Sequence, residues 1–210
     1  MPRRLAALAA LFLLPACLPP DMIPPEARVP VETDPAFYAA RQDSGRVLSA
    51  VDILTFDPAL RRQRVGFETA EAPGTIIIDT ANYHLYLVEG EGWAMRYGVA
   101  IGREGFGWTG VGTIRRRAVW PTWTPPPEMI AREPGLARFD RGMPGGPNNP
   151  LGARALYVYQ GDRDTLIRVH GTNAPRSIGT EASSGCFRML NQDVIDLFER
   201  VPQGAKIVVI

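Results

Sequence analysis

The chain has little histidine, little cysteine and no excess of charge of one sign. Its 210 residues include two histidines and two cysteines, and its formal net charge is +1. So small a net charge argues against nucleic-acid binding, which needs a concentrated basic face. The few histidines and cysteines, and the lack of a glycine-rich strand–helix loop that would hold phosphates, lead us to expect neither a metal nor a cofactor.

The basic residues are almost all arginine, and the densest run is Arg115-Arg116-Arg117. This run lies in a region that has the pattern of β-strands. We interpret it as a solvated edge strand, on which charged side chains block pairing with other chains. It therefore adds no evidence for a nucleic-acid partner.

The N-terminus has the layout of a secretory signal peptide over residues 1–17. Arg3 and Arg4 precede an apolar run from Leu5 to Leu14, which is too short for a comfortable transmembrane helix. Ala16 and Cys17 end it in LPAC, which resembles a lipobox, where the cysteine is lipidated. An ordinary signal peptide cleaved nearby is the alternative. Either reading predicts export, and we favour a lipid anchor on Cys17.

Export gives a special position to the second cysteine, Cys186. If Cys17 carries lipid or is removed, Cys186 is the one thiol left in an oxidising compartment, which points to a reactive group. A Cys17–Cys186 disulfide is the alternative, and the flexible tether that follows Cys17 argues against it.

Three further segments follow the signal peptide. Residues 18–35 are rich in proline and predict an extended tether. Residues 36–71 predict a short helical extension, with one helix capped by Asp34 ahead of Pro35 and a second after Asp57-Pro58. Residues 72–210 predict the working domain, and the full chain, with 45% hydrophobic residues, is long and apolar enough to bury a core.

The working domain reads as mainly β with one packed helix. Alternating or β-branched segments predict strands in TIIIDT, HLYLVEG, AMRYGVAIG, GVGTIRRRAVW, ARALYVYQ, TLIRVHG and AKIVVI. The Pro- and Gly-rich segment 121–150 predicts an ordered cover over a groove. NQDVIDLFERV predicts the helix, capped by Asn191 and apolar on one side.

The candidate chemistry lies in HGTNAPRSIGTEASSGCFRM, residues 170–189. His170 ends an apolar strand, and Cys186 follows sixteen positions later in a tight turn. An imidazole can take the proton of an adjacent thiol and give a nucleophilic thiolate, while a third group fixes the imidazole tautomer. No Asp or Asn stands out for that third role, so a backbone carbonyl is the default candidate.

This stretch resembles the signature of the L,D-transpeptidases, the YkuD-type catalytic domain of bacterial cell-wall enzymes. The resemblance covers roughly residues 72–210 and implies a YkuD-like β-sandwich or barrel with a small N-terminal extension. One position departs: Ser184 stands where many members have His. The matching residues are His170, Gly171, Thr172, Gly179, Ser183, Gly185, Cys186, Arg188 and Met189.

The resemblance implies that Cys186 attacks the diaminopimelate–D-alanine bond of a peptidoglycan tetrapeptide stem. His170 would activate the thiol and protonate the departing D-alanine, and the carbonyl of Gly171 would orient the imidazole. Backbone N–H groups around Gly185 and Cys186 would hold the oxyanion.

Two further residues of the motif have supporting roles. Arg188 would bind a substrate carboxylate, with a structural salt bridge as the equal alternative. Ser183 would support the turn. Outside the motif, we expect His84 to be an exposed strand residue, and Trp108, Trp120 and Trp123 to pack in the core or cover or to line the groove.

The same resemblance implies transfer of the acyl group from the thioester to an amine, giving a 3-3 cross-link, D-amino acid exchange or protein attachment. The alternatives are a hydrolase of the same family, either an L,D-carboxypeptidase or an amidase that releases wall proteins, and a non-catalytic peptidoglycan-binding lipoprotein. Carbapenem-type β-lactams are the implied inhibitors, and an outer-membrane protein is a possible acceptor. With the lipobox, we expect a periplasmic protein anchored to the outer membrane of a Gram-negative bacterium, and no other membrane contact.

Overall fold

A computed structural model describes residues 29–103 and 107–210 of the chain. The predicted signal peptide, Cys17 and the first part of the tether lie outside these residues. Within the described part, no helix has the length and apolar character that crossing a membrane requires.

The described residues form fourteen strands, two α-helices and several short 3-10 helices. The strands are β1 (Val31–Glu32), β2 (Arg41–Asp43), β3 (Arg46–Leu48), β4 (Gln63–Gly66), β5 (Ile76–Asp79), β6 (His84–Gly90), β7 (Trp93–Gly98), β8 (Ile101–Gly102), β9 (Gly110–Val119), β10 (Arg154–Gln160), β11 (Arg163–His170), β12 (Glu181–Ser183), β13 (Phe187–Arg188) and β14 (Lys206–Val209). The helices are α1 (Pro127–Arg132) and α2 (Asn191–Arg200), with 3-10 turns at Pro35–Tyr38, Ile53–Thr55, Pro58–Leu60, Pro134–Phe139 and Pro175–Ser177.

Ten of the strands form one sheet in the order β1-β4-β7-β6-β5-β14-β9-β10-β11-β13. Ala100, just after β7, exchanges two backbone hydrogen bonds of 2.9 Å with Arg188 of the last strand. This bridge joins β13 back to the β7 side and completes a hydrogen-bonded circuit, as in a barrel. Two small sheets, β8 with β12 and β2 with β3, complete the fold.

The core lies inside this circuit. Ile76, Ile77 and Ile78 of β5 are all buried, so both faces of this central strand, which lies between β6 and β14, are covered. Helix α2 covers the core with Val194 and Leu197, both fully buried. The prediction of a mainly β domain with one packed helix is confirmed.

The extension before residue 72 contains strands as well as the predicted turns of helix. Asp34 and Asp57 cap 3-10 helices as expected, but each helix ends within one turn. The predicted helical extension is therefore corrected in part. Ser44 and Gly45, with φ of 49° and 76°, form a two-residue turn that joins β2 to β3. The second helix gives way to β4, which pairs with the open edge of β7.

Two other predictions about strands also need correction. Val31–Glu32 pairs with β4, so the extended tether does not run as far as residue 35. The strand that carries Arg115–Arg117 pairs with β10 on one side and β14 on the other, so it is not an edge strand. Arg115 and Arg116 are nevertheless both exposed, because the register between β9 and β10 shifts at Arg115, which has no partner residue in β10.

Asn191 does not cap α2, which is a correction of its predicted role. It is the first residue of the helix, and its side chain reaches away to neighbouring backbone. Its Oδ1 accepts from the N–H of Ala153 (2.9 Å) and of Thr172 (3.3 Å), and its Nδ2 donates to the Thr172 carbonyl (2.8 Å). Asn191 therefore fixes the backbone that follows His170.

A buried ion pair docks the β2–β3 hairpin on the rest of the fold. Arg154 donates two hydrogen bonds, of 2.7 and 2.8 Å, to the carboxylate of Asp43, and Trp120 Nε1 donates a third at 2.7 Å. These bonds, the Arg154 pair first, lower the pKa of Asp43 against the opposing effect of burial. Arg154 is 5% exposed, so its charge depends on Asp43 for compensation.

We predict that Asp43→Ala lowers the free energy of unfolding by about 3–5 kcal/mol, because it leaves the buried Arg154 charge unpaired. Asp162→Ala is the matched control, since it removes a solvent-exposed pair with Arg115 and is expected to cost at most about 1 kcal/mol. Urea denaturation at neutral pH measures both. Equal, small effects of the two substitutions would contradict a stabilising role for the buried pair.

Candidate active site

The pairing of β13 with β11 brings the predicted site residues together. The two strands are parallel, with Phe187 opposite Val169 and Arg188 opposite His170. Cys186 directly precedes β13, so it lies beside the end of β11 although sixteen positions separate it from His170. His170, Cys186 and Arg188 line the same cavity.

His170 is buried, and its tautomer follows from its hydrogen bond. Its Nδ1 lies 2.6 Å from the carbonyl oxygen of Gly171. A carbonyl only accepts, so Nδ1 carries the proton and Nε2 is left as an acceptor. Burial lowers the pKa of His170 to about 4, helped by the charges of Arg188 and Arg168 and opposed by the Gly171 carbonyl. The imidazole is therefore neutral at pH 7 and able to take a proton.

A hydrogen-bonded turn presents Cys186. Ser183 Oγ donates to the carbonyl of Cys186 (2.5 Å) and accepts from the N–H of Gly185 (3.1 Å). Gly185 has a φ of 116°, a conformation that favours glycine. The Gly185 N–H is thus already used within the turn, whereas the described residues supply no hydrogen-bond acceptor for the N–H of Cys186.

The thiol itself contacts the neighbouring strand. Cys186 Sγ lies 3.7 Å from the carbonyl oxygen of Leu166, and among the described residues no hydrogen bond joins it to His170. Burial raises the pKa of the thiol, and the backbone and charge of Arg168 together with the charge of Arg188 oppose that rise. The resting site therefore holds a neutral thiol next to a neutral imidazole.

Arg188 is half-buried and makes no side-chain hydrogen bond or ion pair with any residue in the described ranges. Burial lowers the pKa of its guanidinium, with a contribution from the nearby charge of Arg103, while Cys186 acts in the opposite direction. Of the two roles expected from the sequence, the structural salt bridge is absent from the described part of the chain. The guanidinium is available to an anion in the cavity.

The cavity has a volume of about 700 Å³ and is covered by the segment from residue 121 to residue 150. Helix α1, the following 3-10 helix and the residues that flank them contribute an apolar wall, and charged side chains also line the cavity. The wall consists of Trp123, Pro126, Met129, Leu136, Phe139 and Met143. The prediction of an ordered cover over a groove is confirmed.

Asn149 holds this cover in place. It is 1% exposed, and its Nδ2 lies within 3.1 Å of the carbonyl oxygens of Pro121, Met143 and Pro144. Trp123 and Met143 also exchange two backbone hydrogen bonds, of 3.0 and 2.7 Å. No sequence pattern predicts this role, because an Asn in a Pro-Gly loop also fits an exposed turn.

The N-terminal extension supports the loop between His170 and Cys186. A Cβ at Gly179 would lie 2.4 Å from Leu60, and a Cβ at Gly98 would lie 2.4 Å from the Leu60 carbonyl. Ile178 of the same loop packs in a cluster with Tyr38 and Ile53. Residues before the predicted catalytic domain thus help to fix the loop between His170 and Cys186.

Of His84 and the three tryptophans named in the sequence analysis, one lines the cavity of Cys186. His84 was predicted to be exposed; this is wrong, because it is 9% exposed and its Nε2 contacts the Ala59 carbonyl at 3.0 Å. Of the three tryptophans, Trp123 lines the cavity. Trp120 is buried under the hairpin, and Trp108 packs against the main core. The described ranges contain no cluster of His, Cys, Asp and Glu that could hold a metal ion.

Comparison with known proteins agrees with this geometry. Residues 73–210 match the family model described as the L,D-transpeptidase catalytic domain, YkuD. The chain belongs to the YkuD family of L,D-transpeptidase catalytic domains. The match begins within one residue of the predicted start of the domain at residue 72.

The curated relatives include two from Escherichia coli K12. The probable L,D-transpeptidase YbiS is 35% identical over 138 residues, and the probable L,D-transpeptidase ErfK/SrfK is 34% identical over 144 residues. The matches cover 63% and 64% of this chain. The chain matches only 43% of the length of each relative, so these proteins contain much that has no counterpart in the match.

Two solved structures share the fold. A Brucella melitensis protein, titled a probable carnitine operon oxidoreductase, is 50% identical with a TM-score of 0.51 and covers 76% of this chain and 99% of its own. A mutant of the Enterococcus faecium L,D-transpeptidase is 14% identical with a TM-score of 0.50 and covers 71% of this chain and 56% of its own. At that identity the second likeness shows the fold alone.

We predict that the fold loses stability as the pH falls from about 6.5 toward about 4, partly because His170 is buried in its neutral form. The unfolded chain has a histidine pKa of about 6.5 and so binds more protons in this range. His170→Gln should remove about 2–3 kcal/mol of the loss between pH 7 and pH 4.5. Urea denaturation of both proteins at the two pH values measures it. An identical loss in wild type and variant would mean that His170 does not titrate in this way.

Proposed function

We propose that the protein is a peptidoglycan L,D-transpeptidase that uses Cys186 as its nucleophile. The observation that carries this proposal is the cavity in which His170, Cys186 and Arg188 meet, at the positions of the family's signature. Membership of the family supports the substrate class, a tetrapeptide stem that ends in a diaminopimelate–D-alanine bond.

In the acylation step, Nε2 of His170 takes the proton of the Cys186 thiol, and the sulfur attacks the carbonyl carbon of that bond. The proton then passes from His170 to the departing nitrogen of D-alanine, which leaves a thioester on Cys186. The hydrogen bond of Nδ1 to the Gly171 carbonyl keeps Nε2 directed at the reaction throughout.

The oxyanion that develops in this step needs backbone N–H donors that are not already hydrogen-bonded within the protein. Among the described residues, the N–H of Cys186 meets this condition, whereas the Gly185 N–H is engaged with Ser183 Oγ. We therefore assign the oxyanion to the Cys186 N–H and give Gly185 and Ser183 the role of shaping the turn. This revises the expectation that both N–H groups serve the oxyanion.

Arg188 would bind a carboxylate of the stem, such as the one on the diaminopimelate side chain or on D-alanine. Its guanidinium lies next to Cys186 and has no partner among the described residues, which supports this role, because a half-buried cation of this kind favours an anionic ligand. Arg103 lines the same cavity and adds to its positive potential.

Resolution of the thioester by an amine completes the reaction and gives a cross-link, an exchanged D-amino acid or an attached protein. Water as acceptor would make the enzyme a hydrolase. Both acceptors, an amine and water, would enter the cavity from solvent. We further propose acylation of Cys186 by carbapenem-type β-lactams, and export to the periplasm with Cys17 anchored by lipid to the outer membrane, where a membrane protein is a possible acceptor.

The test is incubation of the purified protein with a diaminopimelate-containing disaccharide tetrapeptide, followed by mass spectrometry of the products. We expect dimers that lack one D-alanine, absent with Cys186→Ala. His170→Gln should reduce the rate by roughly 10²–10⁴-fold, because it removes general acid–base catalysis.

His84→Gln is the matched control, since it replaces the other histidine of the chain, which is not among the residues that line the cavity of Cys186. It should retain turnover. Tripeptide alone would assign hydrolysis or require a different acceptor. Unchanged substrate with the wild-type protein would leave the non-catalytic, wall-binding alternative, and equal loss in both histidine variants would contradict the role of His170.

A further inference from the structure

Leu166 combines three features that are rare in one residue. It lies within β11, it has a φ of 63°, and it is 74% exposed in the cavity that holds Cys186. The left-handed region costs a leucine roughly 1–2 kcal/mol, and exposure gives its side chain no compensating burial. Strain of this kind persists where the surroundings impose it, and it is concentrated at functional sites.

The surroundings of Leu166 impose this conformation through an irregularity of the sheet. The register between β10 and β11 shifts between Tyr157 and Tyr159, so that β11 bulges. Asp164 Oδ1 accepts from the N–H of Leu166 at 2.8 Å, and two hydrogen bonds to Arg168 hold the same carboxylate. Thr165, the residue before Leu166, donates from its Oγ1 to the Val158 carbonyl at 2.7 Å and so ties the bulge to β10.

The bulge turns the carbonyl of Leu166 toward Cys186. The Leu166 oxygen lies 3.7 Å from Cys186 Sγ, within the range of a weak hydrogen bond to sulfur. Because a carbonyl only accepts, this contact is favourable to the protonated thiol and unfavourable to the thiolate.

We propose that Leu166 is a positioning residue that holds the Cys186 thiol protonated in the resting enzyme. The proposal rests on Cys186 being the nucleophile. In the step that starts the reaction, the S–H···O contact to Leu166 is broken. The thiol proton is then transferred to His170 Nε2, which gives a thiolate and an imidazolium. No other reactant is needed.

Other charged groups also act on the thiol and must be kept constant in any test. Asp164 and Arg168 face it from β11, Arg188 faces it from β13, and His170 lies at the end of β11. Substitution of Leu166 removes none of these side chains, and its own side chain lies outside the core. Because the Leu166 N–H bonds to Asp164 and the backbone of Arg168 lowers the pKa of the thiol, the comparison is made between two variants of the same residue.

The experiment compares Leu166→Val with Leu166→Asn in the full chain. Valine keeps an apolar side chain but is branched at Cβ and strongly disfavours a positive φ. Asparagine loses the apolar side chain but accepts the left-handed conformation. The rate of alkylation by iodoacetamide is measured from pH 5 to pH 10 on the peptide that contains Cys186, so that Cys17 does not contribute. Thermal unfolding of each variant confirms that it is folded.

We expect Leu166→Val to react roughly two- to ten-fold faster than wild type at pH 7, with an apparent thiol pKa lower by about half to one unit. Leu166→Asn should stay within about two-fold of wild type, since it retains the carbonyl direction. Equal rates for all three proteins, a slower Leu166→Val, or a change confined to Leu166→Asn would overturn the proposal. Alkylation needs no peptidoglycan, so this outcome is independent of the turnover test of the proposed function.

Discussion

The parallel pairing of β13 with β11 is the constraint on which the candidate site depends. It extends over two residues of each strand, yet it places Arg188 opposite His170 and Cys186 next to the end of β11. The same short strand closes the sheet through its bridge to Ala100. Loss of this register would therefore open the barrel-like circuit, and it would at the same time separate the Cys186 thiol from the His170 imidazole. β13 therefore contributes both to the closure of the sheet and to the candidate site, and its Phe187 is 1% exposed.

Around this pairing, the electrostatics favour a resting site without charge on its two reacting groups. Burial holds the imidazole of His170 neutral and the thiol of Cys186 protonated. A neutral imidazole is ready to accept a proton, and a neutral thiol reacts slowly with oxidants and other electrophiles. The guanidinium of Arg188, which has no partner among the described residues, is the charge that we propose for the substrate. A substrate carboxylate would neutralise it as the cavity fills.

The main strands of residues 72–210, helix α2 and the family resemblance could be predicted from the sequence. All three depend on local pattern and on residues close together in the chain. It could not predict the true role of Asn191, which bonds to Ala153 and Thr172 across the fold, nor the three carbonyl contacts of Asn149. The prediction of a helical extension over residues 36–71 was wrong in part for the same reason. Its second segment resembles a helix locally, but the open edge of β7 recruits it as β4. Long-range pairing outweighed local propensity.

The most direct test of the central claim is detection of the acyl-enzyme. Wild-type protein is mixed with the disaccharide tetrapeptide, quenched with acid at short times, and examined by intact-protein and peptide mass spectrometry. We predict a mass gain equal to the substrate less D-alanine, located on the peptide that contains Cys186 and lost after treatment with hydroxylamine, which cleaves thioesters. Turnover of the substrate with no adduct on Cys186, or with the adduct on another residue, would contradict a mechanism built on this thiol.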